Sequence, residues 1–195
     1  MAIVREGTAP VLLVVDVQVG VMRDAWESPR VIRNVCRTVE RARAEGVPVL
    51  WVQHSDADLP EGSDRWQLVP ELVPELVPAA GEPILRKHFN SSFEQTPLDE
   101  ELARLGATHV VLAGAATNWC IRATAYGALE RGYDVTLVKD AHTTETMELD
   151  ERVKIEAADV VQELNIAMTW LSYPGRKNGA ATAEELDFGR PGGGQ

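Results

Sequence analysis

Hydrophobic and polar positions follow two different periods along this chain. Val11 to Val15 (VLLVV) is an unbroken apolar run with the length and β-branched content of a buried strand. Val47 to Val52 (VPVLWV), Pro83 to Arg86, His109 to Ala113 (HVVLA), Tyr133 to Val138 (YDVTLV) and Ile166 to Trp170 repeat that pattern. Between these runs, apolar residues recur every three or four positions. Pro29 to Glu45 reads as an amphipathic helix closed by Gly46, Pro97 to Leu105 as one closed by Gly106, Ile121 to Arg131 as one ended by Gly132, and Leu149 to Glu163 as a further helix. Repeated strand-helix alternation predicts an α/β fold. The expectation is a single-domain three-layer sandwich over residues 1–175, in which helices cover both faces of a parallel sheet of about six strands.

Two segments break the rhythm. Ser55 to Ala80, with spaced prolines in VPELVPELVP, is long for a loop in a compact domain. It is expected to cover the carboxyl edge of the sheet, either as a lid or as a contact within a homo-oligomer, a dimer or tetramer. The repeated VPEL reads as two turns of one irregular segment. Residues 176–195, ending GRPGGGQ, are Gly-rich and polar and are expected to form a flexible tail.

Composition narrows the class of function. The chain has 195 residues, 45% hydrophobic and 25% charged, which suits one domain with an ordinary core. Thirty acidic residues against 19 basic ones give a formal net charge of -11, and no Lys/Arg cluster stands out, which disfavours nucleic acid and anionic membranes as partners. No run approaches the ~18 apolar residues of a membrane helix, and MAIVREGTAP does not resemble a secretion signal. A soluble cytoplasmic protein acting on a small molecule is expected. Cys36 and Cys120 make no disulfide framework, and no CxxC or Cys/His cluster suggests zinc. Cys36, inside a helical stretch, reads as a small buried hydrophobe.

Cys120 is different because of its neighbours. GAATNWC, Gly114 to Cys120, links a strand-like run to a helix-like run and so seats the thiol in a helix's first turn, beyond the carboxyl end of a strand. Open backbone N–H groups and the positive end of the helix dipole favour a thiolate there. Asp16 directly follows VLLVV, and Lys87 ends the third strand in ILRKHFNSSF. A carboxylate, an ammonium and a thiol thus meet at one edge of the sheet. The carboxylate can take the thiol proton, the lysine stabilises both anions, and the thiolate can attack an electrophilic carbon. Taken singly, each has a plainer reading: a strand-end Asp caps a helix, and a strand-end Lys is solvated.

These motifs resemble the isochorismatase-like cysteine hydrolases, which include nicotinamidases, N-carbamoylsarcosine amidase and ureidoacrylate amidohydrolase. The matching residues are VVDVQ at 14–18, Lys87 to Phe93 with Thr96 and Leu98, GAATNWCIRATAYGALERGYDV at 114–135, and KDAHTT at 139–144. The resemblance implies an isochorismatase-like, Rossmann-like fold with Asp16, Lys87 and Cys120 as a catalytic triad. It also implies a cis peptide bond at Ala115–Ala116 and an oxyanion hole formed by the N–H groups of Ala116 and Cys120. No cofactor is implied. Nicotinamidases carry a metal-binding Asp-x-His after the second strand; here VQHSDAD leaves His54 without the Asp two residues earlier, so no metal is expected. His54 lines the pocket or bonds a loop carbonyl, and Gln18, Trp26, Phe93 and Trp119 are further candidates for the pocket wall, although the aromatic residues fit core packing equally well. His88 should point away from Lys87, and His142 should reach the site edge or cap the following turn. The reading expected is cleavage of a C–N bond in a small amide, carbamoyl, ureido or lactam compound. Vinyl ether cleavage of the isochorismate type, or a non-catalytic binding role, are the alternatives.

Overall fold

The structure, a computed structural model, describes residues 5–69 and 78–189. Six strands, β1 (Pro10–Val15), β2 (Val49–His54), β3 (Ile84–Lys87), β4 (His109–Ala115), β5 (Asp134–Thr143) and, after a hairpin, β8 (Asn178–Ala181), form one sheet in the order β3-β2-β1-β4-β5-β8. Every pairing in it is parallel. The sequence turns inward at β1, the centre of the sheet. Leu12 and Val14 pack on one face with Val31, Val35 and Val39 of the long helix α2 (Ser28–Ala44). Val11, Leu13 and Val15 pack on the other face with α3 (Leu98–Arg104), α4 (Arg122–Glu130) and α5 (Ala157–Trp170). Burial on both faces is why the strand is an apolar run without alternation. The α/β three-layer expectation therefore holds, with α2 on one face and α3, α4 and α5 on the other. A short helix, α1 (Val19–Met22), follows β1.

Three expectations from the sequence are corrected. Leu149 to Glu163 is not one helix: β6 (Met147–Asp150) and β7 (Val153–Ile155) form an antiparallel hairpin, and α5 begins only at Ala157. Leu149 and Val153 have helical spacing, but the Asp150 carboxylate accepts the N–H groups of Arg152 and Val153 and closes a turn between them. Ile166 to Trp170 is not a strand but the end of α5, whose inner face is Val160, Val161, Leu164 and Met168, at helical spacing. The sixth strand is β8, inside the segment expected to be a flexible tail. Asn178 donates to the carbonyls of Met168 and Leu171, Leu186 and Phe188 are buried beside α2, and the Arg41 guanidinium binds the carbonyls of Ala183, Glu184 and Leu186. These contacts fasten the segment through Gly189 to the body of the domain.

The described part of the 55–80 segment lies along the carboxyl edge. Val19 and Gly20 donate to the carbonyls of Gln67 and Arg65, and Val69 donates to Val17. Most of the VPELVPELVP stretch falls outside the described residues. No helix among the described residues is long and apolar enough to cross a membrane.

Candidate active site

Strand register brings the three chemical groups together. Val15, the last residue of β1, is opposite Val52 of β2 and Gly114 of β4, and His54 of β2 is opposite Lys87 of β3. Gly114 has φ +125°, and a Cβ there would lie 1.9 Å from the Val15 carbonyl oxygen, so only glycine lets β4 approach β1 this closely. The next residue of the first strand, Asp16, has left-handed backbone (φ 52°), which turns its carboxylate off the strand path. The peptide bond Ala115–Ala116 is cis, as the resemblance implied. From there the chain enters a π-helical turn, Thr117–Ile121, that carries Cys120 and runs into α4. Trp119 and Ile121 both donate their N–H to the Ala116 carbonyl, closing the turn on that residue. π turns interrupt α-helices mostly at functional positions.

The Lys87 ammonium is the hub of the site. Its Nζ is 2.6 Å from Asp16 Oδ2, and it donates to Cys120 Sγ at 3.1 Å, to the Phe89 carbonyl at 3.2 Å and to His54 Nδ1 at 3.3 Å. The Lys87 and Asp16 side chains are 0% and 1% exposed. Lys87 meets Asp16 as an ion pair, and among the described residues no other N–H or O–H reaches either carboxylate oxygen, while the Cys120 thiol faces them. The carboxylate therefore keeps acceptor capacity inside the site.

Burial decides the protonation states. It pushes the Asp16 carboxyl above its ordinary value although Lys87 pulls it down. Burial, then the Asp16 charge, push the Cys120 thiol up to about 12 against the pull of Lys87. This corrects the expectation of a resting thiolate: desolvation outweighs the lysine, so Cys120 rests as a thiol beside its base. Burial works against the Lys87 ammonium, but the Asp16 charge and the contacts with Asp16 and Cys120 outweigh it and hold the group above its ordinary value.

The remaining candidates divide into those at the site and those turned away from it. Trp119, next to Cys120, is 54% exposed, and Trp26 is half-buried on the same edge, its backbone N–H bonded to the Thr144 carbonyl. Gln18 is fully engaged within the protein: its amide donates to the carbonyls of His54 and Trp66 and accepts the His54 N–H, clamping the end of β2 to the 55–69 loop. Phe93 is buried against Tyr133 under the Arg131 guanidinium, in the core. His88 points away from Lys87, as the strand alternation required, and bonds Ser55. Cys36 is only partly buried on α2, not enclosed as expected.

His142 proves more than an edge residue. It is fully buried between Thr117 of the nucleophile turn and Asn165 of α5, and burial holds it down at about 4, so the ring is neutral. The Asn165 amide donates to the Lys139 carbonyl, so its oxygen faces His142 Nε2–H, and His142 Nδ1 is left to accept the Thr117 hydroxyl. Asn118 accepts the Thr144 hydroxyl at 2.6 Å, adding a second tie. Neither Thr117 nor Asn165 was singled out from the sequence. Residues 113–115 and 138–143 pair through a register shift that places His142 opposite Gly114, and that irregularity has no signature in the strand pattern.

Comparison with known proteins gives the family of the chain and matches its fold. Residues 10–170 match the family model described as Isochorismatase domain. A streptothricin hydrolase of Streptomyces noursei is 36% identical over 141 residues, covering 68% of this chain and 54% of the relative, so the chain spans about half of that relative's length. An isochorismatase from Pseudomonas putida KT2440 superposes with a TM-score of 0.79 at 23% identity, covering 92% of this chain and 91% of that one. The N-carbamoylsarcosine amidase of Thermoplasma acidophilum superposes at 0.67 with 26% identity, covering 91% and 98%. With the family model spanning most of the chain and the same architecture in solved structures, the protein belongs to the isochorismatase family of hydrolases.

Proposed function

We propose that this protein is a cysteine hydrolase that cleaves the C–N bond of a small amide, carbamoyl, ureido or lactam compound through a thioester on Cys120. The observation that carries the reading is the buried trio of Asp16, Lys87 and Cys120, in which a carboxylate with open acceptor capacity faces a thiol. Asp16 takes the Cys120 proton as sulfur adds to the carbonyl carbon, and the N–H groups of Ala116 and Cys120 hold the oxyanion. The C–N bond then breaks as Asp16 passes the proton to the leaving nitrogen. Water, deprotonated by Asp16, attacks the thioester, and Cys120 leaves and takes its proton back. Lys87 keeps both anions oriented throughout. The names of two relatives, a streptothricin hydrolase and an N-carbamoylsarcosine amidase, support small C–N substrates. A retained cysteine favours attack on carbon over vinyl ether cleavage. A screen of primary amides, ureido acids and lactams for release of ammonia or amine, with intact-mass detection of the acyl adduct, tests this. Turnover that survives Cys120→Ala would refute it.

A further inference from the structure

The proton balance of this site points to a residue outside the trio. Hydrolysis of an acyl–Cys120 thioester at neutral pH leaves a carboxylate and one surplus proton in a chamber where Lys87 and Asp16 are 0% and 1% exposed. Asp16 must end each cycle in the state in which it began, so it cannot retain that proton. Lys87 has three protons and four acceptors around it: Asp16, Cys120, the Phe89 carbonyl and His54. An ammonium cannot accept, so His54 Nδ1 is the acceptor and His54 Nε2–H faces Asp56 Oδ2 at 3.0 Å. The other Asp56 oxygen is fixed by the N–H groups of Asp58 and Leu59. Burial works against the Asp56 anion, yet the hydrogen bonds from His54, Leu59 and Asp58 hold it below the usual carboxylate range. Exposure rises along this line, from 0% at Lys87 to 17% at the His54 side chain and 48% at Asp56.

We propose that His54, braced by Asp56, is the proton outlet of the active site, carrying one proton per turnover from the buried trio to water. The inference rests on the thioester reading above. As His54 Nδ1 takes a proton from Lys87, the acid product or protonated Asp16 returns one to Lys87, which ends the step as an ammonium. The resulting imidazolium pairs with Asp56 and loses its Nε2 proton to water at its exposed edge, and a half-turn of the ring then brings the remaining N–H to Asp56 and the bare nitrogen back to Lys87. Among the described residues, the charged groups facing His54 are Lys87 and Asp16 on the inner side and Asp56 on the outer side. His54 is thus a relay and positioning residue.

The test uses p-nitrophenyl acetate as probe, whose burst reports acylation of Cys120 and whose steady state reports thioester hydrolysis. His54→Asn keeps an acceptor for Lys87 but cannot carry a proton. The burst should persist while the steady state falls ~10- to 10²-fold and recovers with added imidazole. Asp56→Asn, on the exposed side, should keep the burst and slow the steady state by a smaller factor, which covers the case in which His54→Asn fails to fold. A steady state unchanged in both variants, or burst and steady state falling together without imidazole rescue, would overturn the relay alone. Absence of acetyl-Cys120 in the unaltered protein would overturn the thioester reading and the relay with it.

Discussion

Replacing Asp16 with Asn should separate two roles of its carboxylate: moving protons during turnover, and keeping Cys120 protonated between turnovers. The substitution is nearly isosteric, and Asn accepts the left-handed backbone that residue 16 adopts (φ 52°). The Asp16 charge is the largest influence after burial in pushing Cys120 up to about 12. A unit charge ~4 Å away at an effective dielectric of ~20 contributes ~4 kcal/mol, or ~3 pH units. With the carboxylate gone and the Lys87 ammonium still buried, the thiol becomes the group that can neutralise it. A fall of even ~2 units would raise the thiolate fraction at pH 7.5 by ~10². The weaker nucleophilicity of a less basic thiolate returns about a factor of 8 of that, leaving Cys120 alkylated ~10-fold faster by iodoacetamide. Turnover should fall by a factor on the order of 10² or more, because the proton carrier is lost. Stability should fall as well: breaking a buried pair on one side costs ~3–5 kcal/mol, offset in part by the new thiolate. Alkylation is followed by mass spectrometry of the Cys120 peptide, with half-buried Cys36 as the internal reference. An alkylation rate at Cys120 that is unchanged or lower in Asp16→Asn would refute this account of what holds the thiol protonated.

Further outcomes are expected. Cys120→Ala should abolish turnover, with a rate at the limit of detection, while the thermal midpoint moves little, since the site loses one sulfur but keeps its ion pair. Stability should decline between pH 6.5 and 4.5. His109 and His142 are both held at about 4 by burial, from an ordinary 6.5, so the unfolded chain binds protons that the folded chain refuses. Their contribution is complete above pH 6.5 and shrinks as pH falls toward 4, by up to ~3 kcal/mol for each histidine; equal urea midpoints at pH 7 and pH 4.5 would contradict it. Activity should survive dialysis against a chelator, because the residue two before His54 is Val52, buried in the core. Loss of a stoichiometric metal together with activity would reverse that conclusion.

The trio was legible because each member lies at or just beyond the carboxyl end of a strand, and a parallel sheet presents all such ends at one edge. Fold class was legible for the same reason: β1 is too uniformly apolar for a half-solvated strand. What the sequence did not disclose depends on register and on competition between periods. The contact of His54 with Lys87 follows from their pairing across β2 and β3, which no local pattern specifies. The resting state of Cys120 depends on how deeply the turn is buried, and helix-end reasoning captures only the opposing part. At the C-terminal end, Leu149, Val153 and Ile155 are apolar yet exposed, so hydrophobic spacing alone misassigned the hairpin and displaced the last strand. The polar tail hides two anchors, Leu186 and Phe188, among residues that otherwise read as linker.

Gly114 sets a limit on how this site can diverge. With the Val15 carbonyl where a Cβ would be, no side chain can be introduced at position 114 without parting β4 from β1. Those two strands lead into Cys120 and Asp16, so any such parting would separate the thiol from the carboxylate. The floor of the site is therefore closed to gradual change. On the proposed reading, variation is left to the rim, at Trp119, Trp26, the 55–69 loop and the β6–β7 hairpin beside Asn118, where substitutions leave the approach of carboxylate and thiol untouched.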